Sequence, residues 1–221
     1  MTRYKCLVLD HDDTVVQSEQ TTGYPCLLMT LERFRPGATI TLAEYGRDCY
    51  ELGFAEMCRR RWRFTQQELD EEFREWMDYV ETHIPPVFPG IPELIRRQRE
   101  AGGLVCVVSH SSVVNITRDY DLHIGLRPDA VYGWDYPEQL RKPNPFPLLD
   151  IMEKFRLSPE ELLVVDDMKL AYTMAKNQNV PIAFAAWGRQ NCPEICKEMR
   201  ALCNFCFDTP RQLEEFQFGD K

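Results

Sequence analysis

The sequence lacks three features, and their absence narrows the class of protein. It contains no apolar stretch of the roughly 20 residues that a membrane-spanning helix needs. It shows no internal repeat and no low-complexity tract. It is also short of positive charge, because 26 Lys and Arg stand against 35 Asp and Glu, for a net charge of −9. Nucleic-acid-binding proteins normally carry a basic face, so we expect neither a membrane nor a nucleic acid as a partner.

The start of the chain shows no secretion signal, although the sequence contains nine cysteines. Met1–Lys5 leads directly into a short apolar run that acidic residues soon stop. We therefore expect a cytoplasmic protein with reduced thiols. Four cysteines near the C-terminus could bind zinc, but they do not form two matched Cys-x-x-Cys pairs, so packed thiols are the favoured interpretation. These four are Cys192, Cys196, Cys203 and Cys206.

Short apolar runs alternate with helical patterns through most of the chain. The runs that predict buried strands begin at Cys6, Leu104, Leu162, Pro181 and Phe205. Helices are predicted near Ile91–Ala101, from Asn144-Pro145, after Asp167 and from Thr209-Pro210. Repeated β–α alternation predicts an α/β fold, with a Rossmann-like, mainly parallel sheet and helices on both faces.

The segment between the first two predicted strands is much longer than one crossover needs. Its pattern is helical, with capping boxes at Thr41–Glu44 and Thr65–Glu68. We predict an inserted all-helical cap domain over residues 16–87, and a core domain formed by residues 1–15 and 88–221. Two chain crossings between the domains would allow a hinge closure that excludes water.

Polar residues follow three of the predicted strands at the points where the strands end. Asp10 and Asp12 follow the first strand, Ser109 and His110 the second, and Asp166 and Asp167 the third. Lys142 precedes a predicted helix start at Asn144-Pro145. Because the carboxyl ends of parallel strands meet at one edge of a sheet, these side chains are expected to lie together.

Phosphoryl transfer is the chemistry that needs this set of side chains. An Asp carboxylate can attack phosphorus and form an aspartyl-phosphate. Because nucleophile and phosphate are both anionic, a Mg²⁺ held by hard oxygen ligands and a Lys ammonium must offset their repulsion. A Ser hydroxyl and backbone N–H groups can bind the remaining oxygens, and a second Asp can act as general acid and base.

The motif set resembles the haloacid dehalogenase-like (HAD) hydrolase superfamily, in order and in spacing. The branch it is most similar to contains phosphoglycolate phosphatases and β-phosphoglucomutases, which carry a helical cap between the first two motifs. The resemblance implies that Asp10 is the nucleophile and Asp12 the general acid and base. It implies phosphate binding by Ser109 and Lys142, to which we add the neighbouring His110. The implied Mg²⁺ ligands are Asp10, the backbone carbonyl of Asp12, Asp166 and, directly or through an outer contact, Asp167.

The sequence departs from the family pattern at three positions. Asp13 stands where the family often has Gly, and Asp tolerates a left-handed turn better than most residues. Val165 replaces a common Gly before the fourth-motif acid, and Leu170 stands where a further acid commonly follows. Asp13 is therefore expected to keep the turn, and the adjacent pair Asp166-Asp167 resembles a variant of the family motif in which Asp167 binds the metal either directly or from outside.

Several functions fit this pattern. The favoured one is a Mg²⁺-dependent phosphatase of a small phosphorylated metabolite. A sugar-phosphate mutase would use the same nucleophile, and a non-catalytic binding protein on the same scaffold is an alternative from another class. A dehalogenase would not need Asp12, and the absence of lysine from Gln17 to Thr82 argues against a phosphonatase. Arg47 is a candidate for contacting a substrate anion, while the substrate itself and the oligomeric state are not predicted.

Overall fold

The structure is a computed structural model that describes residues 2–219. Its six strands are β1 (Cys6–Leu9), β2 (Leu104–Val108), β3 (Ala130–Tyr132), β4 (Leu162–Asp166), β5 (Ile182–Ala185) and β6 (Phe205–Phe207). They form one sheet in the order β3-β2-β1-β4-β5-β6, and every neighbouring pair is parallel. The predicted α/β fold with a parallel sheet is confirmed. The three-residue edge strand β3 was not predicted from the sequence.

The described part of the chain contains ten α-helices beside the sheet. They are α1 (Tyr24–Phe34), α2 (Leu42–Leu52), α3 (Phe54–Trp62), α4 (Gln66–Thr82), α5 (Ile91–Glu100), α6 (Val113–His123), α7 (Phe146–Phe155), α8 (Lys169–Asn177), α9 (Pro193–Leu202) and α10 (Pro210–Phe218). Within residues 2–219, no helix combines the length and the apolar character that crossing a membrane requires.

Alternation along the strands gives the sheet two buried faces. In β1, Leu7 and Leu9 point to one hydrophobic cluster, and Cys6 and Val8 point to the other. Helices α5, α6 and α10 cover the first face, and α7 and α8 cover the second. Covering on both faces explains why the strands appear as continuous apolar runs in the sequence.

The order of the strands determines where polar side chains can gather. From β1 the chain builds outward to β2 and β3, then returns to the other side of β1 to build β4, β5 and β6. The direction of building therefore reverses between β1 and β4. In open α/β sheets, such a reversal opens a crevice at the carboxyl ends of the two strands, where ligands bind.

Helices α1 to α4 share a hydrophobic core that is separate from the clusters on the sheet. That core contains Leu27, Leu31, Ile40, Tyr45, Met57, Cys58, Phe64 and Leu69. The chain enters and leaves this helical segment side by side, since Val16 pairs with Val87 and the N–H of Phe88 donates to Val15 at 3.0 Å. The capping boxes predicted at Thr41 and Thr65 are both present and begin α2 and α4.

A buried carboxyl group lies within this helical segment. Glu72 of α4 is only 6% exposed, and burial raises its pKa from 4.5 to about 7. It lies close enough to the thiols of Cys26 and Cys58 that its charge adds to burial in raising their pKa values. Glu72 is therefore a group whose ionisation opposes folding near neutral pH.

Replacing Glu72 with Gln should remove a pH-dependent loss of stability. The folded state binds the Glu72 proton more tightly than the unfolded state does, so its contribution is complete below pH 4.5 and falls as the pH rises to about 7. At pH 8 we expect Glu72→Gln to unfold at a higher urea concentration than wild type, with a free energy of unfolding larger by up to about 3 kcal/mol. The difference in free energy of unfolding should vanish near pH 5. Equilibrium urea titrations at several pH values measure this difference.

Glu81 of the same helix is solvent-exposed and provides the matched control. Glu81→Gln should follow the wild-type dependence on pH within experimental error. Identical pH profiles for Glu72→Gln and wild type would contradict the assignment of a raised pKa to Glu72.

Candidate active site

The candidate site lies in the crevice between the carboxyl ends of β1 and β4. Asp10 directly follows β1, and its backbone N–H donates to the carbonyl of Val165 in β4 at 2.9 Å. Ser109 directly follows β2, and its N–H donates to Tyr132 of β3 at 2.9 Å. The parallel ladder therefore continues one residue beyond the strands and holds the first polar residue of each loop in register.

Lys142 lies between the two acid pairs. Its ammonium donates to Oδ2 of Asp166 at 2.8 Å and lies 2.9 Å from Oδ1 of Asp10. All three side chains are at most 5% exposed. Burial alone would lower the pKa of Lys142, but the two carboxylates outweigh it and raise the pKa. Lys142 is therefore a permanent cation at the centre of the site.

The two carboxyl groups beside Lys142 respond to it differently. Burial works to raise the pKa of Asp10, yet the Lys142 charge and its contact with Asp10 hold that pKa below the ordinary value. Burial and the charge of Asp10 raise the pKa of Asp166 well above its ordinary value, and Lys142 offsets only part of this. Asp10 is thus the group that remains anionic, as a nucleophile must.

Asp12 lines the same cavity as Asp10 but is partly exposed. Desolvation raises its pKa, and His11 offsets this effect only in part. A carboxyl group that keeps its proton more readily than a free Asp can protonate a leaving oxygen. The environments of Asp10 and Asp12 therefore push their pKa values apart, as an acid paired with a nucleophile requires.

Ser109 and His110 form the wall of the cavity on the β2 side. Oγ of Ser109 accepts a hydrogen bond from the N–H of Ser111 at 3.1 Å, which leaves its own hydroxyl hydrogen free to donate elsewhere. Nε2 of His110 lies 2.8 Å from the carbonyl of Lys142, and a carbonyl can only accept, so this nitrogen carries a hydrogen. Burial lowers the pKa of His110 to about 4, so its ring is neutral and helps to hold the Lys142 loop.

Asp167 is bound by two side chains from other loops. Its Oδ1 accepts from the hydroxyl of Thr14 at 3.3 Å, and its Oδ2 accepts from Nε of Arg189 at 2.6 Å. Burial raises the pKa of Asp167 to about 6, although the Arg189 charge counteracts part of the effect. Asp167 is therefore already paired with a cation, Arg189, before any ligand binds.

Three of the predicted metal ligands are close enough to share one ion. Asp10, Asp166 and Asp167 each offer an oxygen, and these oxygens all lie within 4.8 Å of one another. Oδ1 of Asp10 is buried, and the ammonium of Lys142 lies 2.9 Å from it. Three buried carboxyl groups this close together form an all-oxygen donor set that carries more acid than one ammonium can neutralise, which fits a hard cation such as Mg²⁺. The carboxylate of Asp12 is not part of this group.

A loop after β5 reaches the site and was not predicted from the sequence. Nε1 of Trp187 donates to the carbonyl of Thr14 at 3.0 Å, and Arg189 lines the cavity. Gly188 lies against the loop that follows β1, because a Cβ on it would fall 1.9 Å from the carbonyl oxygen of Asp13. The signal in the sequence was a Trp-Gly-Arg triplet just after an apolar strand, with no acidic residue beside it.

Two further predictions can be compared with the geometry. Asp13 adopts φ 54°, so it does take the left-handed conformation that a Gly would otherwise supply. Arg47 lies in α2, where its Nε is 3.5 Å from the carboxylate of Asp48, and it is not among the residues that line the cavity. Its contact with a substrate stays a prediction.

The cavity between these groups is small. Its volume is about 150 Å³, below the range of roughly 300–1,000 Å³ that is typical of clefts for drug-sized ligands. Carboxylates and cationic groups form its floor, and Met168 and Leu170 provide an apolar edge. Its lining consists of Asp10, Asp12, Ser109, His110, Lys142, Asp167, Met168, Leu170 and Arg189.

Solved structures of similar fold cover almost the whole chain. A Lactobacillus plantarum protein with the proposed name phosphoglycolate phosphatase has a TM-score of 0.78 at 22% identity, covering 97% of this chain and 99% of that chain. CbbY from Rhodobacter sphaeroides, solved in complex with phosphate, has a TM-score of 0.71 at 17% identity, covering 95% and 96%. Identities this low establish a shared fold.

Among curated proteins, the phosphoglycolate phosphatase of Vibrio vulnificus strain CMCP6 is 28% identical over 118 residues. The match covers 52% of this chain and 49% of that protein, so the chain spans about half the length of the curated relatives it matches.

The profile of the family described as haloacid dehalogenase-like hydrolase matches residues 7–185. That range runs from β1 to the end of β5 and includes Asp10, Asp12, Ser109, Lys142 and Asp166. Because the match covers most of the sequence, the chain belongs to the haloacid dehalogenase-like hydrolases.

Proposed function

We propose that the protein is a Mg²⁺-dependent phosphatase that hydrolyses a small phosphate monoester through an aspartyl-phosphate on Asp10. The observation that carries the proposal is the ammonium of Lys142, buried between Asp10 and Asp166 at 2.9 and 2.8 Å. A buried cation at this position keeps Asp10 anionic and also attracts the phosphoryl group that Asp10 would attack. A carboxylate in a purely structural role would not need a neighbouring cavity open to a ligand.

The first half of the reaction uses Asp10 and Asp12. A carboxylate oxygen of Asp10 attacks phosphorus, the bond from phosphorus to the ester oxygen breaks, and Asp12 gives its proton to the leaving oxygen. The raised pKa of Asp12 supports this role, because the group holds a proton until the leaving oxygen needs it.

In the second half, Asp12 acts as the base. It now lacks its proton and takes one from a water molecule, which attacks the phosphorus of the aspartyl-phosphate. The bond between phosphorus and the Asp10 oxygen breaks, which releases phosphate and restores both carboxyl groups. Both halves use the same wall of the cavity, since Asp10 and Asp12 both line it.

The phosphoryl oxygens would be bound by groups from three loops. Lys142 supplies a positive charge, and Ser109 supplies a hydroxyl donor beside Asp10. His110 is proposed to act mainly by holding the carbonyl of Lys142, so that the ammonium stays directed at Asp10. Donors fixed in advance stabilise the charge that develops on the transferred group.

Asp10, the backbone carbonyl of Asp12 and Asp166 are the proposed Mg²⁺ ligands, with Asp167 either binding directly or acting from outside. The ion would neutralise charge on the carboxylates and on the phosphate, which lowers the repulsion between nucleophile and substrate.

A small substrate fits the volume of the cavity. The Vibrio relatives are named phosphoglycolate phosphatases, so phosphoglycolate is the first ester to test, in a panel of phosphorylated metabolites with and without Mg²⁺.

We further propose that residues 16–87 form a cap domain. Their separate hydrophobic core and the paired crossings at Val16 and Val87 support closure over the cavity.

Replacing Asp10 with Asn should abolish turnover of the ester found in that panel and leave the fold intact. The amide keeps the shape of the side chain but removes the charge that attacks phosphorus. Steady-state kinetics measures the loss, and thermal unfolding checks the fold. Asp121→Asn changes an exposed Asp on α6 and should behave as wild type. Near wild-type turnover in Asp10→Asn would mean that no aspartyl-phosphate forms.

Removal of divalent cations should stop the reaction. The donor set contains carboxylate oxygens, which suit Mg²⁺ better than softer metals. We expect EDTA to abolish activity and excess Mg²⁺ to restore it, as measured by phosphate release. Full activity in EDTA would contradict the metal assignment without contradicting the role of Asp10.

Replacing Lys142 with Ala should lower kcat/KM by roughly ten- to a hundredfold, the effect of losing a hydrogen bond to a charged group worth about 1.5–3 kcal/mol. Lys142→Arg should restore only part, because the planar guanidinium has a different reach. Lys197→Ala removes an exposed lysine from α9 and serves as the control. An unchanged kcat/KM in Lys142→Ala would remove Lys142 from the site.

A further inference from the structure

Arg189 lines the cavity, but all three of its nitrogen groups are already occupied. Nε donates to Asp167 at 2.6 Å, Nη1 donates to Glu19, and Nη2 lies 3.2 Å from the sulfur of Met168. The side chain is only 5% exposed. A buried guanidinium whose three nitrogens each already contact a protein group is poorly placed to bind a substrate anion, so we look for its role among its own partners.

Those partners include more carboxyl groups than one guanidinium can neutralise. Asp167 and Glu19 each accept a hydrogen bond from it, and Oδ2 of Asp13 lies 3.9 Å away. All three acids are buried, with the highest side-chain exposure at 11%. One cation shared among three buried carboxylates divides its interaction among them. What one carboxylate loses, the others gain.

Glu19 connects this cluster to the helical segment that we propose as the cap. It is the first residue of the short π-helix Glu19–Gly23, which leads into α1, and its N–H donates to the carboxylate of Asp13 at 3.1 Å. Helix α2 lies directly against its side chain, because a Cβ on Gly46 would fall 2.8 Å from Oε1 of Glu19. Gly46 therefore allows α2 to hold the carboxylate of Glu19 on Arg189.

We propose that Arg189 is a positioning residue that limits how freely Asp167 can serve the cation, and that α2 controls this limit through Glu19. When α2 holds Glu19 on Arg189, the Glu19 carboxylate neutralises part of the guanidinium charge, and Asp167 interacts more strongly with Mg²⁺. When Glu19 withdraws, Arg189 binds Asp167 more strongly and competes with the ion. The inference rests on the metal site proposed above.

This arrangement links the cation to the position of the helical segment. If holding Glu19 in place strengthens Mg²⁺ binding by some factor, then bound Mg²⁺ must favour the arrangement that holds Glu19 by the same factor. The loaded site would thus favour the arrangement in which α2 holds Glu19 on Arg189, and an empty site would favour withdrawal of Glu19 from Arg189.

The test is calorimetric titration of Mg²⁺ into metal-free protein, with no substrate present. Glu19→Gln should weaken Mg²⁺ binding by about fivefold or more, and Arg189→Gln should tighten it by a similar factor, as is typical of coupled sites. Both changes break the same ion pair. A purely structural role would shift binding in the same direction in both variants, whereas the inference requires opposite directions.

We call the action of Glu19 on Asp167 through Arg189 the relay. Two further variants separate the relay from a direct effect of the Glu19 charge on the ion. In the Arg189→Gln background, adding Glu19→Gln should change binding by less than about twofold, because Glu19 then has nothing to act through. Gly46→Ala alters no charge, yet its new methyl group must displace the Glu19 carboxylate. It should therefore weaken Mg²⁺ binding in the same direction as Glu19→Gln.

Arg35 and Glu68 provide the matched controls. They form a second Arg–Glu pair at 2.7 Å within the helical segment, away from the cavity. Arg35→Gln and Glu68→Gln should leave Mg²⁺ affinity unchanged.

Several outcomes would overturn the inference. Equal effects of Glu19→Gln in the wild-type and Arg189→Gln backgrounds would show that Glu19 acts through space. If Arg189→Gln does not fold, then wild-type affinity in both Glu19→Gln and Gly46→Ala would exclude the relay. A wild-type protein that binds no Mg²⁺ would remove the metal site itself, whereas wild-type binding without coupling would remove only the relay.

Discussion

Crowding of negative charge between β1 and β4 is the constraint on which the rest of the site depends. Asp10 directly follows β1, and Asp166 is the last residue of the adjacent strand β4. Asp13 and Asp167 lie in the loops just beyond these strands. Carboxylates this close repel one another and, when buried, cannot all remain ionised without cations. The chain supplies two buried cations, Lys142 against Asp10 and Asp166, and Arg189 against Asp167 and Asp13.

The two cations come from opposite halves of the sheet. Lys142 lies in the loop after β3, at one edge, and Arg189 lies in the loop after β5, toward the other. Charge balance in the crevice between β1 and β4 therefore depends on both halves of the sheet being folded. The acids fall into two groups: Asp10 and Asp166 lie beside Lys142, and Asp167 and Asp13 lie beside Arg189. Removing either cation would leave buried carboxylates uncompensated, which is strongly destabilising in proteins.

Sequence patterns indicated the polar groups at strand ends and Lys142 before a helix start, and they missed the groups that only tertiary contacts bring to the site. Asp10, Ser109 and Asp166 stand where apolar runs stop, and strand geometry brings such positions together whatever the details of packing. Arg189 follows an apolar run as well, but its partners Glu19 and Asp167 are remote in sequence, and no local pattern records a contact over that distance. The left-handed turn at Asp13 was predictable because it depends on one residue's own backbone preference.

Two glycines show how closely the charged loops must approach one another. Gly188 lets the Arg189 loop lie against the carbonyl of Asp13, and Gly46 lets α2 lie against Glu19. A side chain at the first position would separate Arg189 from the acids of the β1 and β4 loops, and one at the second would displace Glu19 from Arg189. Because a Coulomb interaction in a buried site falls steeply when water enters a widened gap, close backbone packing at both points sustains the charge balance. The small residues thus matter to the electrostatics as much as the charged ones do, and they carry no charge by which sequence inspection would single them out.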